Sequence, residues 1–185
     1  MKILLINGSA RPLSNTQKLT NLISQTEFPA HAELTIYDLS VNQLPIYTGE
    51  EGQYELPQVS LLCELAEEAD GYIICTPEYH NSISGALKNL LDFLGADQFN
   101  QKIVQIFAVS GGGKGGINAL NHLRLVMRGV GAMVVPQQHV VDADQLDAEG
   151  NFISERNRII VQQQLDEFCS ILRKMTAYED LTVEA

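Results

Sequence analysis

The chain has 185 residues, 45% of them hydrophobic and 19% charged, and a formal net charge of −11. That length and composition fit one ordinary globular domain with a sizeable core. The acidic balance excludes a nucleic-acid binder, which needs a basic footprint, and no apolar run approaches the ~18 residues of a membrane span.

The charge also sets a condition on any phosphorylated ligand, which must find a local site that offsets the global field. Cys63, Cys75 and Cys169 lack CxxC spacing and read as reduced core thiols of a cytoplasmic protein. His31, His80, His122 and His139 are scattered without metal-binding spacing, so no metal is expected.

In chain order, residues 2–6 are a short apolar run, too short for a secretory segment and suited to a strand covered on both faces. A helix follows over 15–25, with Leu19, Leu22 and Ile23 at helical spacing, and then an edge strand over 33–37. Residues 41–56 form a long irregular loop, of the kind that is functional or interfacial in a compact domain. The pattern predicts a helix over 57–69, a buried strand over 71–76, and a helix capped by Ser84 and ending at Gly95. A fourth strand over 102–109, a helix over 116–128 closed by Gly129, a fifth strand over 132–135 and a last helix over 154–174 complete the series. Residues 1–175 thus form one domain, and 176–185 an acidic, frayed tail. Five strands alternating with five helices imply an open parallel α/β sheet. Its ligand site lies beyond the carboxyl ends of the strands, where the strand order reverses. The loops after strands one, three and four are therefore the ones to read.

The first loop, Gly8-Ser9-Ala10-Arg11-Pro12-Leu13-Ser14-Asn15-Thr16, offers small residues, hydroxyls and a helix start, which together suit an anion. Arg11 is its one fixed cation and can fork onto a phosphate. Without a ligand the same residues would make a plain helix cap. The second, running from Cys75 to Ser84, ends a hydrophobic strand in Pro77, Glu78, Tyr79 and His80. Tyr79 offers a ring to a planar ligand, while Glu78 suits a local hydrogen-bonding role better than acid–base chemistry. The third has five glycines among residues 110–116, which permits close backbone approach to a ligand.

Gly111, Gly113 and Gly116 formally satisfy GxGxxG, but after the fourth strand rather than the first, and the ribose-binding acid about twenty residues on is missing. A dinucleotide-binding dehydrogenase fails on position. No GxxxxGK[ST] or GxSxG occurs. Asn7 and Thr76-Pro77 stand where a receiver domain needs carboxylates. Asn81 stands where a low-molecular-weight tyrosine phosphatase needs Arg.

GSARPLSNT after strand one, TPEYHNSISGALKNLLDFL after strand three and SGGGKGG after strand four resemble the NADPH-dependent FMN reductase family, and within it the azoreductase branch. The resemblance runs from Met1 to about Met175. His80 stands where Asn is more usual in the wider family. The resemblance implies a flavodoxin-like three-layer fold, with a five-stranded parallel sheet of order 2-1-3-4-5 and FMN at its carboxyl edge. Ser9, Arg11, Ser14, Asn15 and Thr16 would hold the FMN phosphate, and Pro77, Glu78, Tyr79 and His80 would line the isoalloxazine. Ser110, Gly111 and Gly112 would offer N–H groups to the pyrimidine edge. The implied reaction is ping-pong: NADPH, or NADH, reduces the flavin, and an azo compound, quinone or similar acceptor reoxidises it, with no protein nucleophile required. The resemblance also implies a homodimer or homotetramer with the flavin near the interface, contacted by residues 79–95 and 41–56. The alternative from another class is a flavodoxin-type electron carrier that binds FMN but does not oxidise NAD(P)H.

Overall fold

The structure is a computed structural model that describes residues 1–111 and 115–183 of the chain. β1 (Lys2–Asn7), β3 (Gly71–Pro77) and β4 (Ile103–Ser110) make the middle of one parallel sheet. Every residue of β3 and β4 is buried, as unbroken apolar strands require when helices cover both faces. β2 (Glu33–Asp38) is only partly buried and pairs outside β1. With β5 (Met133–Val134) the sheet order is β2-β1-β3-β4-β5, the flavodoxin-like order expected. The chain steps from β1 to one side, then crosses back over it to β3, so the order reverses between β1 and β3.

Among the described residues six α-helices enclose the sheet: α1 (Asn15–Ser24), α2 (Pro57–Glu68), α3 (Gly85–Asp92), α4 (Ala96–Phe99), α5 (Ile117–Gly129) and α6 (Glu155–Val183). The two-residue period of a strand sorts the apolar runs between two cores. Leu4 and Ile6 join Val59 and Leu62 of α2, Leu87 and Leu90 of α3, and Leu120 and Leu123 of α5. Ile3 and Leu5 face the other way, onto Leu19 and Ile23 of α1 and Val161, Leu165 and Phe168 of α6. At about 1.5–3 kcal/mol for each fully buried large aliphatic or aromatic side chain, these two layers supply the main stabilisation of the fold.

The structure departs from the sequence reading in five places, the first being a 3-10 turn at Glu51–Glu55 within the loop read as irregular. The short helix α4 follows Gly95. α6 continues through Val183, into the segment read as a tail. Gly129 lies inside α5, and the chain reverses instead at Gly131, whose φ is +81°. The largest difference is at the fifth strand position, which two segments share: β5, and β6 (His139–Asp142), which also pairs with β4. Val104 pairs with Val134 and Phe107 with His139, so the register offset rises from 30 to 32 residues and two extra residues are accommodated between the segments. Pro136 lies in this break; it lacks an N–H and cannot extend a ladder.

The break is clamped from both faces. The Arg124 guanidinium of α5 donates to the carbonyls of Val134 (3.3 Å), Val135 (3.0 Å) and Pro136 (3.3 Å). It also donates twice to Gln138 Oε1. From the α6 side, the buried Gln105 amide donates to the Gln137 carbonyl at 3.3 Å. β6 thereby rejoins the sheet and extends alongside β4 to Ser110.

Candidate functional site

The register pairs Asn7 with Cys75 and Cys75 with Phe107, so β1, β3 and β4 end side by side and their three loops leave from one edge. At the first, the Gly8 N–H donates to the Cys75 carbonyl at 2.8 Å. The Gly8 carbonyl accepts from Ser84 Oγ at 2.5 Å. Ser9 is buried, its N–H donates to Asn7 Oδ1 at 3.2 Å, and its Oγ accepts from the Arg11 N–H. Ser14 caps α1 by accepting from the Gln17 N–H. Asn15 and Thr16 open the helix, where N–H groups have no intrahelical acceptor. No acid lies in the first turn of α1, so its positive end is not neutralised there. Arg11 is exposed.

The second loop is a tight turn. Tyr79 and Ser82 exchange backbone hydrogen bonds of 2.9 and 3.0 Å, and His80 (φ +52°) and Asn81 (φ +64°) both adopt left-handed backbone between them. Two positive φ values in succession mark a type I′ turn. The Glu78 carboxylate accepts from the Asn81 N–H at 2.6 Å, the local role read from the sequence, and the Glu78 N–H extends the ladder to Val109. Tyr79 is 45% exposed, so its ring is presented at the edge. Ser84 caps α3 as expected, accepting from the Leu87 N–H while donating to Gly8. His122 of α5 reaches this turn through Nδ1, 3.0 Å from Ser82 Oγ.

At the third loop Ser110 is buried, and its Oγ has no hydrogen-bond partner among the described residues;. A buried hydroxyl without a partner is costly, and one at the ligand edge of an α/β sheet marks where a polar ligand atom fits. Gly111 is exposed, and Gly112 lies outside the described residues. Gly116 closes the loop onto the sheet: a Cβ there would come within 3.0 Å of the Ala108 side chain.

The structure therefore brings Ser9, Arg11, Ser14, Asn15, Thr16, Pro77, Glu78, Tyr79, His80, Ser110 and Gly111 to one edge. A cavity of about 170 Å³ reaches this edge at Ala10, with Leu39, Gln43, Leu44, Ala86 and Asn89 around it. A cavity of about 570 Å³ between α1 and α6, lined in part by Leu22, Phe152 and Arg158, touches none of the three loops. Sequence reasoning missed the layer beneath the loops: Asn7, Gln17 and Asp38 join in one hydrogen-bonded network. A polar residue ending an apolar strand, Asn7, was the available signal. Nothing in linear spacing ties it to Asp38, 31 residues away.

Comparison with known proteins bears on the family and the fold. Residues 1–146 match the family described as NADPH-dependent FMN reductase. An NADPH azoreductase from a Bacillus species (strain OY1-2) is 46% identical over 142 residues, 77% of each chain. An FMN-dependent NADPH-azoreductase from Staphylococcus saprophyticus is 34% identical over 98% of this chain and 100% of that one. Among solved structures, the flavoenzyme NAD(P)H:(acceptor) oxidoreductase from Paracoccus denitrificans superposes with a TM-score of 0.78 at 24% identity, covering 94% of this chain and 97% of that one. That structural likeness bears on the fold, and the sequence matches bear on the family. The chain belongs to the NADPH-dependent FMN reductase family.

Proposed function

We propose that this oxidoreductase binds FMN where the three loops meet, uses NADPH in preference to NADH, and reduces azo compounds, quinones or similar acceptors by a ping-pong mechanism. When bound, FMN supplies the redox chemistry, accepting hydride from the nucleotide and passing it on. The observation that carries the reading is the meeting of an anion-ready helix start with the Ser110 hydroxyl, which has no partner among the described residues, on either side of the switch point;.

Ser9, Ser14, Asn15 and Thr16 cradle the phosphate, and Arg11 supplies local positive charge within an acidic protein. The stiff turn carrying Pro77, Glu78, Tyr79 and His80 positions the ring system. Ser110 and Gly111 stand where they would donate toward the edge at which negative charge grows on reduction, a role the family resemblance extends to Gly112. The choice of NADPH over NADH follows the names of the two sequence relatives described above, both NADPH azoreductases.

We read the chain as a cytoplasmic homodimer or homotetramer. Tyr47 and Tyr54 meet Phe93 edge-on at 5.1 and 6.0 Å, and Asn89 of α3 bonds the backbone of both Pro45 and Tyr47, tying the long loop to α3;. Ile46 is left 76% exposed beside them, which suits a subunit contact. Free Cys63, Cys75 and Cys169 suit a reducing compartment, and no described helix is long and apolar enough to cross a membrane.

Anaerobic mixing of the FMN-loaded protein with NADPH tests the function. Rapid bleaching of the flavin, followed by recolouring on addition of an azo dye or quinone, is the expected result. A flavin left oxidised by both NADPH and NADH would instead make the protein a carrier dependent on a separate reductase.

A further inference from the structure

Asp38 is the last residue of β2 and pairs in register with Asn7. Its carboxylate accepts from Asn7 Nδ2 at 2.7 Å, Gln17 Nε2 at 2.9 Å and the Ser40 N–H at 2.8 Å. Burial works to raise the Asp38 carboxyl, but the hydrogen bonds from Ser40, Gln17 and Asn7 outweigh it and hold the group below the ordinary carboxylate range. An ionised carboxylate only accepts. Both amides must therefore turn their NH₂ groups toward Asp38 and their oxygens away from it.

Those oxygens point into the first loop. Asn7 Oδ1 accepts from the Ser9 N–H at 3.2 Å, and Gln17 Oε1 accepts from the Leu13 N–H at 2.9 Å. Ser9 and Leu13 bracket Ala10, Arg11 and Pro12, so one carboxylate acts through two amides on both ends of the loop. Leu13 shows why this is needed. It is a non-glycine residue at φ +55° and 84% exposed, so burial does not hold it in that conformation. A left-handed leucine persists only where its surroundings hold it, and here its N–H is held by Gln17 Oε1.

We propose that Asp38 is a positioning residue for the phosphate loop: by orienting the Asn7 and Gln17 amides, it presets the Ser9–Leu13 backbone that receives the FMN phosphate. The inference rests on the FMN reading above. It also assigns a purpose to a negative charge placed behind an anion site, where direct electrostatics alone would disfavour it. The carboxylate occupies amide NH₂ groups and so leaves their oxygens to shape the loop.

The test compares FMN with riboflavin, the same ring system without the phosphate, by fluorescence titration of the full-length chain stripped of flavin. In Asp38→Asn the side chain has one acceptor and one donor end, so one amide meets a donor, turns over and releases its loop N–H. FMN should then bind about tenfold more weakly, while riboflavin binding stays within about twofold of wild type. Gln17→Met keeps the length of the side chain and removes the Leu13 link together with the Nε2 bonds to Asp38 and Ser40 Oγ, leaving the Asn7–Ser9 arm in place; about threefold selective weakening of FMN is expected. An equal loss for both flavins, or no loss for either, overturns the proposal, and if Asp38→Asn does not fold, Gln17→Met decides by the same ratio. A wild-type chain that binds neither flavin would sink the FMN reading itself, and this inference with it.

Discussion

Gly8 shows how tightly a single position is constrained at this site. Its N–H and carbonyl are both engaged, by β3 and by Ser84, and a Cβ placed on it would lie 2.7 Å from the Cys75 carbonyl oxygen and 3.1 Å from Leu87. A backbone oxygen in a central strand has no room to yield. Gly8→Ala should therefore cost about 2 kcal/mol, as overpacking does, and lower the Tm by about 4–8 °C in a chain of this size. Thermal unfolding followed by circular dichroism reads this directly, and an unchanged Tm would mean that β1 and β3 can separate at their ends. Directly below, burial pushes the Cys75 thiol up to about 12, partly offset by a bond with Thr20, so this cysteine is a neutral core group rather than a nucleophile. The sequence made Gly8 legible as the start of a small-residue loop. It did not show that the carbonyl on the neighbouring strand is what requires a glycine.

Among the elements, the interrupted fifth strand is the one whose form depends most on distant residues. Its apolar stretch is legible over residues 132–135, but Pro136-Gln137-Gln138 reads as a strand end. The return of the chain to β4 as β6 depends on Arg124 and Gln105, which satisfy the carbonyls that the break exposes. Removing that guanidinium strands the partly buried carbonyls of Val134 and Val135, the Pro136 carbonyl being exposed to water, so Arg124→Ala should cost about 2 kcal/mol. Arg124→Lys should recover less than half of that, because an ammonium cannot reproduce the fork. Urea unfolding of the two variants gives the comparison, and a lysine variant as stable as wild type would argue that charge, not forked geometry, closes the break. The same logic separates α5 from its expected end. Gly129 has the composition of a helix stop, yet the left-handed turn falls two residues later at Gly131, which sits against Asn100. A tertiary contact decided between two glycines of equal local merit.

At the scale of the whole molecule, an anionic cofactor must approach a chain of net charge −11. Long-range repulsion reaches about 30 Å at 0.01 M salt and about 8 Å at 0.15 M, whereas Arg11 and the start of α1 act only at close range. The FMN association rate should therefore rise several-fold between those two ionic strengths, as stopped-flow quenching would show. A falling rate would mean that the local positive field governs the encounter instead. The division between sequence and structure follows the range of the forces involved. The apolar runs of β1, β3 and β4, the helical spacing between them and the small-residue loops at their ends are local patterns, and by themselves they determined a parallel α/β sheet with those three loops at its carboxyl edge. Tertiary structure alone decided which faces of those runs met which helices, how β6 rejoined β4, and how Asp38 reached Asn7 and Gln17 beneath the loop that follows β1. Each of these rests on hydrogen bonds or packing between residues far apart in the chain, and such partners are chosen only when the sheet closes.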